Sequence, residues 1–260
     1  MSPSDLPDGI VDTLIDLTRR AGEAILPFRG GDIAVERKAD DSPVTAADHA
    51  ANDVIVPELS ALTPSIPVVS EESAAVGDVP DVSGGCFWLV DPLDGTKEFI
   101  AGRDEFTVNI ALVDAGRPVL GVVGIPVLGE IFSGFGPGSA RFHAADGGVR
   151  RIDARRPPED GLTAMVSRSH ADMEAVEALF ATMTIKQRVI AGSSLKFCRI
   201  AAGMADLYPR FGRTMEWDTA AGHAVLASAG GSVRTLDGAD LSYRKPGFEN
   251  PHFLARGRDA

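Results

Sequence analysis

The stretch Trp88-Leu89-Val90-Asp91-Pro92-Leu93-Asp94-Gly95-Thr96 runs an apolar segment straight into two carboxylates. Pro92 fixes the backbone between them, so both side chains and the Leu93 carbonyl can converge on one point. Carboxylate and carbonyl oxygens are the ligands that hard cations such as magnesium prefer. Gly95 and Thr96 follow where a short helix is expected to begin. Amide hydrogens at a helix start point outward and can bind phosphate oxygens, and Thr96 adds a hydroxyl. An Asp-Gly pair alone is an ordinary turn signal, with Asp94 capping a helix. A cation-type ligand set and an anion cradle in one short string, directly after a buried strand, are far more specific.

Three further segments carry acids. Val68-Val69-Ser70-Glu71-Glu72 ends an apolar run in paired carboxylates, which repel each other unless solvent or a cation relieves them. Trp217-Asp218-Thr219-Ala220-Ala221-Gly222 puts Asp218 where a helix N-cap belongs, followed by small residues that let the helix pack closely. Thr45 and Asp48 have the spacing of a capping box, although Glu or Gln is the usual partner. Taken singly, these segments read as a solvated loop, an N-cap and a capping box.

Around them, Ile10, Leu14, Leu17, Ala21, Ile25 and Phe28 recur at helical spacing. Thr45, with Val54, Ile55, Leu59 and Leu62, signals a second helix. Strand-like runs at 87–90, 107–113, 119–125 and 130–135 are joined by short connections that favour antiparallel pairing. Beyond residue 155, strand-like runs at 162–166, 188–191 and 207–211 alternate with helical ones at 171–183, 194–205 and 219–229, as in crossover units. Arg155-Arg156-Pro157-Pro158 marks the expected boundary between an N-terminal half, 1–155, and a C-terminal half, 156–260. The expected class is mixed α and β, with helices sandwiching two sheets.

A formal net charge of −12 argues against a nucleic-acid polymer or an anionic membrane surface as partner. It also means that a phosphate site here needs cations, which reverse the field where carboxylates cluster. No apolar run reaches the roughly 18 residues of a membrane span, and the first residues lack the pattern of a signal peptide. Cys86 and Cys198 lie in apolar surroundings without metal-type spacing, so buried free thiols and a cytoplasmic location are expected.

In their order and separation, the 91–96 and 217–222 strings, the latter closing at Gly230-Gly231, resemble the lithium-sensitive, magnesium-dependent phosphatase superfamily. That group includes the inositol monophosphatases and fructose bisphosphatases, and the resemblance covers nearly the whole chain. Four further strings are similar to its bacterial 3'(2'),5'-bisphosphate nucleotidase branch: Lys97-Glu98-Phe99, Ser167-Arg168-Ser169-His170, Gly192-Ser193-Ser194-Leu195-Lys196-Phe197-Cys198 and Leu207-Tyr208-Pro209-Arg210-Phe211-Gly212. Ala101 departs from the usual polar or basic residue, at a position that is not a ligand.

The resemblance implies a five-layer αβαβα sandwich of the inositol monophosphatase and fructose-1,6-bisphosphatase type. It implies two or three magnesium ions held by Glu71, Asp91, Asp94, Asp218 and the Leu93 carbonyl, and inhibition by lithium. Asp48 and Thr96 are then expected to orient a water and take its proton, with Glu71 assisting. Gly95, Thr96, Asp218, His170, Ser193, Ser194, Lys196 and Arg210 are the implied substrate contacts, the last five as a subsite for a second phosphate and a nucleoside. The implied reaction is hydrolysis of adenosine 3',5'-bisphosphate to AMP and phosphate, in sulfur assimilation, by a cytoplasmic monomer or homodimer; some relatives associate with the inner membrane. The alternatives are an inositol monophosphatase or other small-metabolite phosphatase of the same superfamily, and a non-catalytic nucleotide- or metal-binding regulator. His223 reads as a packed helix residue, and His49 as an exposed neighbour of Asp48. Trp88 and Trp217 read as core residues that brace the acidic segments.

Overall fold

Helical spacing at the N-terminus produces α1 (Ile10–Ile25), with Ile10, Leu14, Leu17, Ala21 and Ile25 all buried. A computed structural model describes residues 3, 6–30, 35–37, 43–168 and 172–259. Phe28, expected on the same stripe, lies beyond Pro27 in a separate short turn and is exposed. A short antiparallel pair, β1 (Val35–Arg37) and β2 (Pro43–Thr45), leads into α2 (Ala46–Leu62). α2 opens on Thr45 as expected.

Seven strands then form a sheet in simple sequence order: β3 (Val68–Ser70), β4 (Cys86–Asp94), β5 (Thr107–Asp114), β6 (Arg117–Ile125), β7 (Glu130–Phe135), β8 (Arg141–His143) and β9 (Val149–Arg151). Every pair from β4 onward is antiparallel, with short connections from β5 to β9. β3 and β4 are parallel, because the chain returns through α3 (Glu71–Ala75) before β4 begins. A second short helix, α4 (Thr96–Ile100), follows β4. Period-two alternation divides the β4 side chains between two cores. Phe87 and Leu89 enter one, while Trp88 and Val90 enter the other.

After residue 155 the expected alternation appears: β10 (Leu162–Ser167), α5 (Met173–Phe180), β11 (Ile185–Ala191), α6 (Leu195–Ala201), β12 (Leu207–Arg210), α7 (Glu216–Ser228), β13 (Ser232–Thr235) and β14 (Phe253–Arg256). The second sheet has the order β11-β10-β12-β14-β13. β10 is parallel to both β11 and β12, and β14 inserts antiparallel between β12 and β13. Residues 232–235 and 253–256, like 141–143 and 149–151, are too short to carry a sequence signal.

The stack has five layers. α1 and α2 cover one face of the seven-stranded sheet, and α7 packs on the other against β4 to β7. α6 lies against α7 and β12, between the two sheets. α5 closes the outer face, where Val176 and Phe180 meet Ala164, Val166 and Leu207. α7 approaches β6 so closely that a Cβ on Gly121 would fall 2.3 Å from the Ala221 carbonyl oxygen. The largest core cluster draws on both sides of residue 155, from Phe87 and Ala111 to Phe197, Val225 and Phe253. Both cysteines are buried free thiols, and no helix among the described residues is long and apolar enough to cross a membrane.

Candidate metal centre and phosphate site

Parallel pairing places the first two acids. Ser70 is in register with Val90, so Glu71 and Asp91 leave the same end of neighbouring strands. Ser70 also caps α3, its hydroxyl accepting from the Ser73 N–H at 3.0 Å, which orients the helix that begins with Glu71. β4 does not stop at Val90. It continues to Asp94 through a register shift against β5 between Asp91 and Asp94, where Pro92 supplies no N–H for a regular ladder. The acidic string is therefore a bulged strand end, not a free turn. Asp91 is buried and accepts from the Leu93 N–H at 3.1 Å.

β5 presents Thr107 and Asn109 opposite Asp94 and Asp91. The Thr107 hydroxyl and the Asn109 Nδ2 donate to Asp94 Oδ2 at 3.3 and 3.4 Å, and the Ser194 N–H donates at 2.6 Å. Asp218 is not the N-cap of α7 but its third residue, reaching back to accept from the Met215 N–H at 2.9 Å through Oδ2.

Glu71, Asp91 and Asp218 each offer a carboxylate oxygen, all within 4.8 Å of one another. Burial pushes the Asp218 carboxyl well above the usual range, and the charges of Asp94 and Glu71 push it further. Asp94 is raised too, first by burial, with Lys196 and the Ser194 N–H pulling the other way. An all-oxygen set carrying mutually repelling charge fits a hard divalent cation, which removes the repulsion.

Asp48 and Thr96 meet beside this centre. Asp48 Oδ2 accepts from the Thr45 N–H at 2.8 Å and the Thr45 hydroxyl at 2.7 Å, so the capping-box spacing is real. The other oxygen, Oδ1, accepts from the Thr96 hydroxyl at 3.1 Å, with the Leu93 carbonyl a longer 3.4 Å from the same hydroxyl. One buried carboxylate thus serves the start of α2 and the start of α4. Gly95 adopts φ of +95°, a left-handed conformation that lets the chain turn into α4.

A cavity of about 850 Å³ opens above the acids. Glu71, Asp91, Asp94, Asp218, Gly95 and Thr96 line it together with Ser193, Lys196 and Arg210. Lys196 and Arg210 are 2% and 6% exposed. The Lys196 ammonium donates to the carbonyls of Ser193 (2.6 Å) and Ala191 (3.3 Å) and lies over the Tyr208 ring. Burial pushes its pKa down to about 8, against the attraction of Asp94. Arg210 donates through Nη1 to the Ser167 hydroxyl (2.8 Å) and through Nη2 to the Arg213 carbonyl (2.7 Å). Its buried Nε–H has no partner among the described residues. Ser194 is buried and turned inward, its hydroxyl donating to the Asp218 carbonyl at 2.6 Å and accepting from Asn109 at 3.1 Å. His170 lies outside the described residues.

Residues 7–256 match the model of the inositol monophosphatase family. The chain belongs to the inositol monophosphatase family. Among its relatives, the Escherichia coli K12 protein named 3'(2'),5'-bisphosphate nucleotidase CysQ is 48% identical over 250 residues, covering 94% of this chain and 98% of that protein. The Salmonella typhimurium protein of the same name is 47% identical over 257 residues, with the same coverage. The solved structure of CysQ from Bacteroides thetaiotaomicron superimposes with a TM-score of 0.77 at 34% identity, covering 96% of this chain and 97% of that one. Extragenic suppressor protein suhB from Bartonella henselae gives 0.78 at 25% identity, covering 96% and 94%.

The site of this inositol monophosphatase-family chain also uses residues that the motifs do not mark. Thr107 and Asn109 hold Asp94; the available signal was polar side chains inside an otherwise apolar strand, Asn109 being 1% exposed. Glu216, fully buried, accepts from the N–H groups of Arg244 and Lys245 at 2.7 and 2.8 Å. It thereby ties the segment carrying Phe248 to the start of α7, where Phe248 packs against Trp217. His223 makes a 3.0 Å hydrogen bond with the Tyr243 hydroxyl and does not line the cavity. His49 is exposed. The Trp88 indole N–H donates to Thr63 at 2.8 Å, which fastens β4 to the end of α2.

Proposed function

We propose that this chain hydrolyses adenosine 3',5'-bisphosphate to AMP and phosphate with magnesium. The observation that carries the proposal is a pair of buried cationic side chains in the cavity that the acidic centre opens into. Lys196 and Arg210, both buried, line the same cavity as Glu71, Asp91 and Asp218. Two buried cations beyond the acidic centre suit a second phosphate, and the unpartnered Arg210 Nε–H suits one of its oxygens. The 48% identity to a protein named as a bisphosphate nucleotidase supports the same assignment.

In this proposal Glu71, Asp91, Asp94, Asp218 and the Leu93 carbonyl hold two or three magnesium ions, which when bound neutralise phosphate charge and lower the pKa of water. The Thr96 hydroxyl orients the attacking water and passes a proton to Asp48, to which it is already hydrogen-bonded, while Glu71 assists. Gly95 and Thr96 cradle the reacting phosphate. Ser193, Lys196 and Arg210 hold the second phosphate, and His170 contacts the nucleotide. Ser194 acts from behind, bracing Asp94 and Asp218. On this assignment the half 1–155 holds most of the cation ligands and the half 156–260 selects the substrate. The buried free thiols suit a reducing cytoplasm, and lithium is an expected inhibitor.

Phosphate release from adenosine 3',5'-bisphosphate and inositol 1-phosphate, compared with and without magnesium, tests the proposal. A strong preference for the nucleotide, abolished by chelation and reduced by lithium, is expected. A preference for inositol 1-phosphate leaves the acidic centre its role and overturns the second-phosphate subsite. Ligand binding without turnover of either compound overturns catalysis itself.

A further inference from the structure

A carboxylate outside the acidic centre joins the two segments that carry the basic residues. Glu105 lies in the loop between α4 and β5, next to the Phe106-Thr107 start of β5. Its Oε2 accepts from the Gly192 N–H at 3.0 Å. Both its oxygens accept from Arg168 Nη2 at 3.0 Å, and Arg168 Nε lies 3.3 Å from Oε2. Each partner stands one residue from the basic subsite. Gly192 precedes Ser193, whose carbonyl holds the Lys196 ammonium, and Arg168 follows Ser167, whose hydroxyl holds the Arg210 guanidinium.

The Glu105 backbone is equally central. Its carbonyl oxygen lies 3.3 Å from where a Cβ would stand on Gly95 and 2.7 Å from one on Gly192. The turn beside the acidic centre and the turn beside Lys196 therefore both press against this one residue. Ser193 has φ of +47°, a left-handed conformation that a non-glycine residue keeps only when its surroundings enforce it. The Gly192 N–H bond to Glu105 is one such constraint. Neither Glu105 nor Arg168 lines the main cavity.

We propose that Glu105 is a positioning residue that sets the distance between the acidic centre and the two basic side chains, and so determines preference for a bisphosphate over a monophosphate. Arg168, from the Ser167-Arg168 string, is its counter-ion and not a substrate ligand. Two phosphates on one ribose have a nearly fixed separation, so both subsites must be placed together, and a misplacement of about 1 Å can cost on the order of 100-fold. A carboxylate bonded at once to a guanidinium fork and a backbone amide supplies that rigidity. The inference rests on the proposal that Lys196 and Arg210 take the second phosphate.

Steady-state kinetics of Glu105→Gln, Glu105→Ala and Arg168→Ala test it, with adenosine 3',5'-bisphosphate and adenosine 3'-monophosphate as substrates at saturating magnesium. Glu105→Ala is expected to raise KM for the bisphosphate by about 10-fold or more, with kcat and the monophosphate kcat/KM changed by less than about threefold. Glu105→Gln keeps an acceptor for Gly192 and should show a smaller rise. The double variant Glu105→Gln/Arg168→Ala should be no worse than the more damaging single change, because both break one contact. Equal losses on both substrates would mean that Glu105 merely supports the fold, and additive losses would make Arg168 a substrate ligand; either overturns the inference. If Glu105→Ala fails to fold, the Gln and Arg168 variants decide by the same criteria. Wild-type protein without preference for the bisphosphate overturns the subsite proposal and this inference together. Wild-type preference retained in all variants overturns this inference alone.

Discussion

The Ser194 N–H donates to Asp94 Oδ2 at 2.6 Å, across 100 residues of sequence. The Ser194 hydroxyl donates at the same distance to the backbone carbonyl of Asp218. A residue that stands at the start of α6 thus links the Asp94 carboxylate to the backbone of Asp218, two acids that line the cavity. Charge repulsion among those acids works to separate them. Ser194 opposes that tendency with one bond made by its backbone and another made by its side chain.

Ser194→Ala separates the two contributions. The amide contact to Asp94 survives, while Asn109 Nδ2 loses its nearer partner and the Asp218 carbonyl loses a donor. Removing one buried hydroxyl with its partners left in place costs about 1–2 kcal/mol. For a chain of this size that is a fall in Tm of roughly 2–8 °C. The magnesium concentration giving half-maximal activity should rise in the same variant. An unchanged magnesium requirement with lowered Tm would confine Ser194 to stability.

Asp218→Asn is expected to affect the metal-free and metal-bound protein in opposite directions. The Asp218 carboxyl is raised in the folded state by burial and then by Asp94 and Glu71. A carboxyl raised on folding contributes its stability below its unfolded pKa, about 3.9, and loses it as pH rises through the folded value. With rising pH the metal-free protein therefore carries a growing penalty from the crowded charges. Asparagine removes it and can still accept from the Met215 N–H. In EDTA the variant should melt above wild type at pH 8, with the gap closing toward acid pH. In magnesium the order should reverse, and activity should fall by at least about 100-fold. Thermal melts at both pH values, with and without magnesium, check this; a variant less stable in EDTA at pH 8 would refute the repulsion.

How far the sequence discloses this site depends on whether a residue acts through its neighbours in the chain. Asp91, Asp94 and Thr96 are legible because a bulged strand end and a helix start follow each other within a few positions. Asp48 is half legible: its bond to Thr45 is local, whereas the bond to Thr96 crosses 48 residues. Ser194 reads as a helix-start donor for an anion, yet it faces inward, because that direction depends on β5 and α7 packing against it. Glu105 has no local signature at all, since its partners are 63 and 87 residues away. The fold follows the same rule. Long periodic segments such as α1 and β5 declare themselves, while the short strands β8, β9, β13 and β14 depend on pairing with strands distant or adjacent in the chain.

Gly121→Ala tests the close seating of α7 on β6. A Cβ there would lie 2.3 Å from the Ala221 carbonyl oxygen and 2.8 Å from the Ala224 Cβ, so helix and strand must part. Overpacking of this kind costs about 1–3 kcal/mol, and more where backbone is struck. Because Asp218 sits in the first turn of the displaced helix, magnesium affinity should fall along with Tm. A Tm within about 1 °C of wild type would show that α7 is free to shift, contrary to the packing described.

His223 gives a pH signature independent of the acidic centre. Burial pushes its pKa down to about 4, so the folded protein keeps the ring neutral, hydrogen-bonded to the Tyr243 hydroxyl at 3.0 Å. A histidine depressed on folding contributes fully above its unfolded pKa of about 6.5 and loses that contribution as pH falls toward the folded value. Between pH 7.5 and 5 the loss amounts to about 2 kcal/mol. Denaturant unfolding of wild type and His223→Gln in saturating magnesium, the cation proposed to hold the carboxylates ionised, isolates it. The wild-type curve should fall more steeply by about that amount, and the glutamine variant should keep kcat within about threefold, since the ring does not line the cavity. Parallel stability curves would mean that the ring titrates normally when folded, and a collapse in kcat would make His223 part of the reaction.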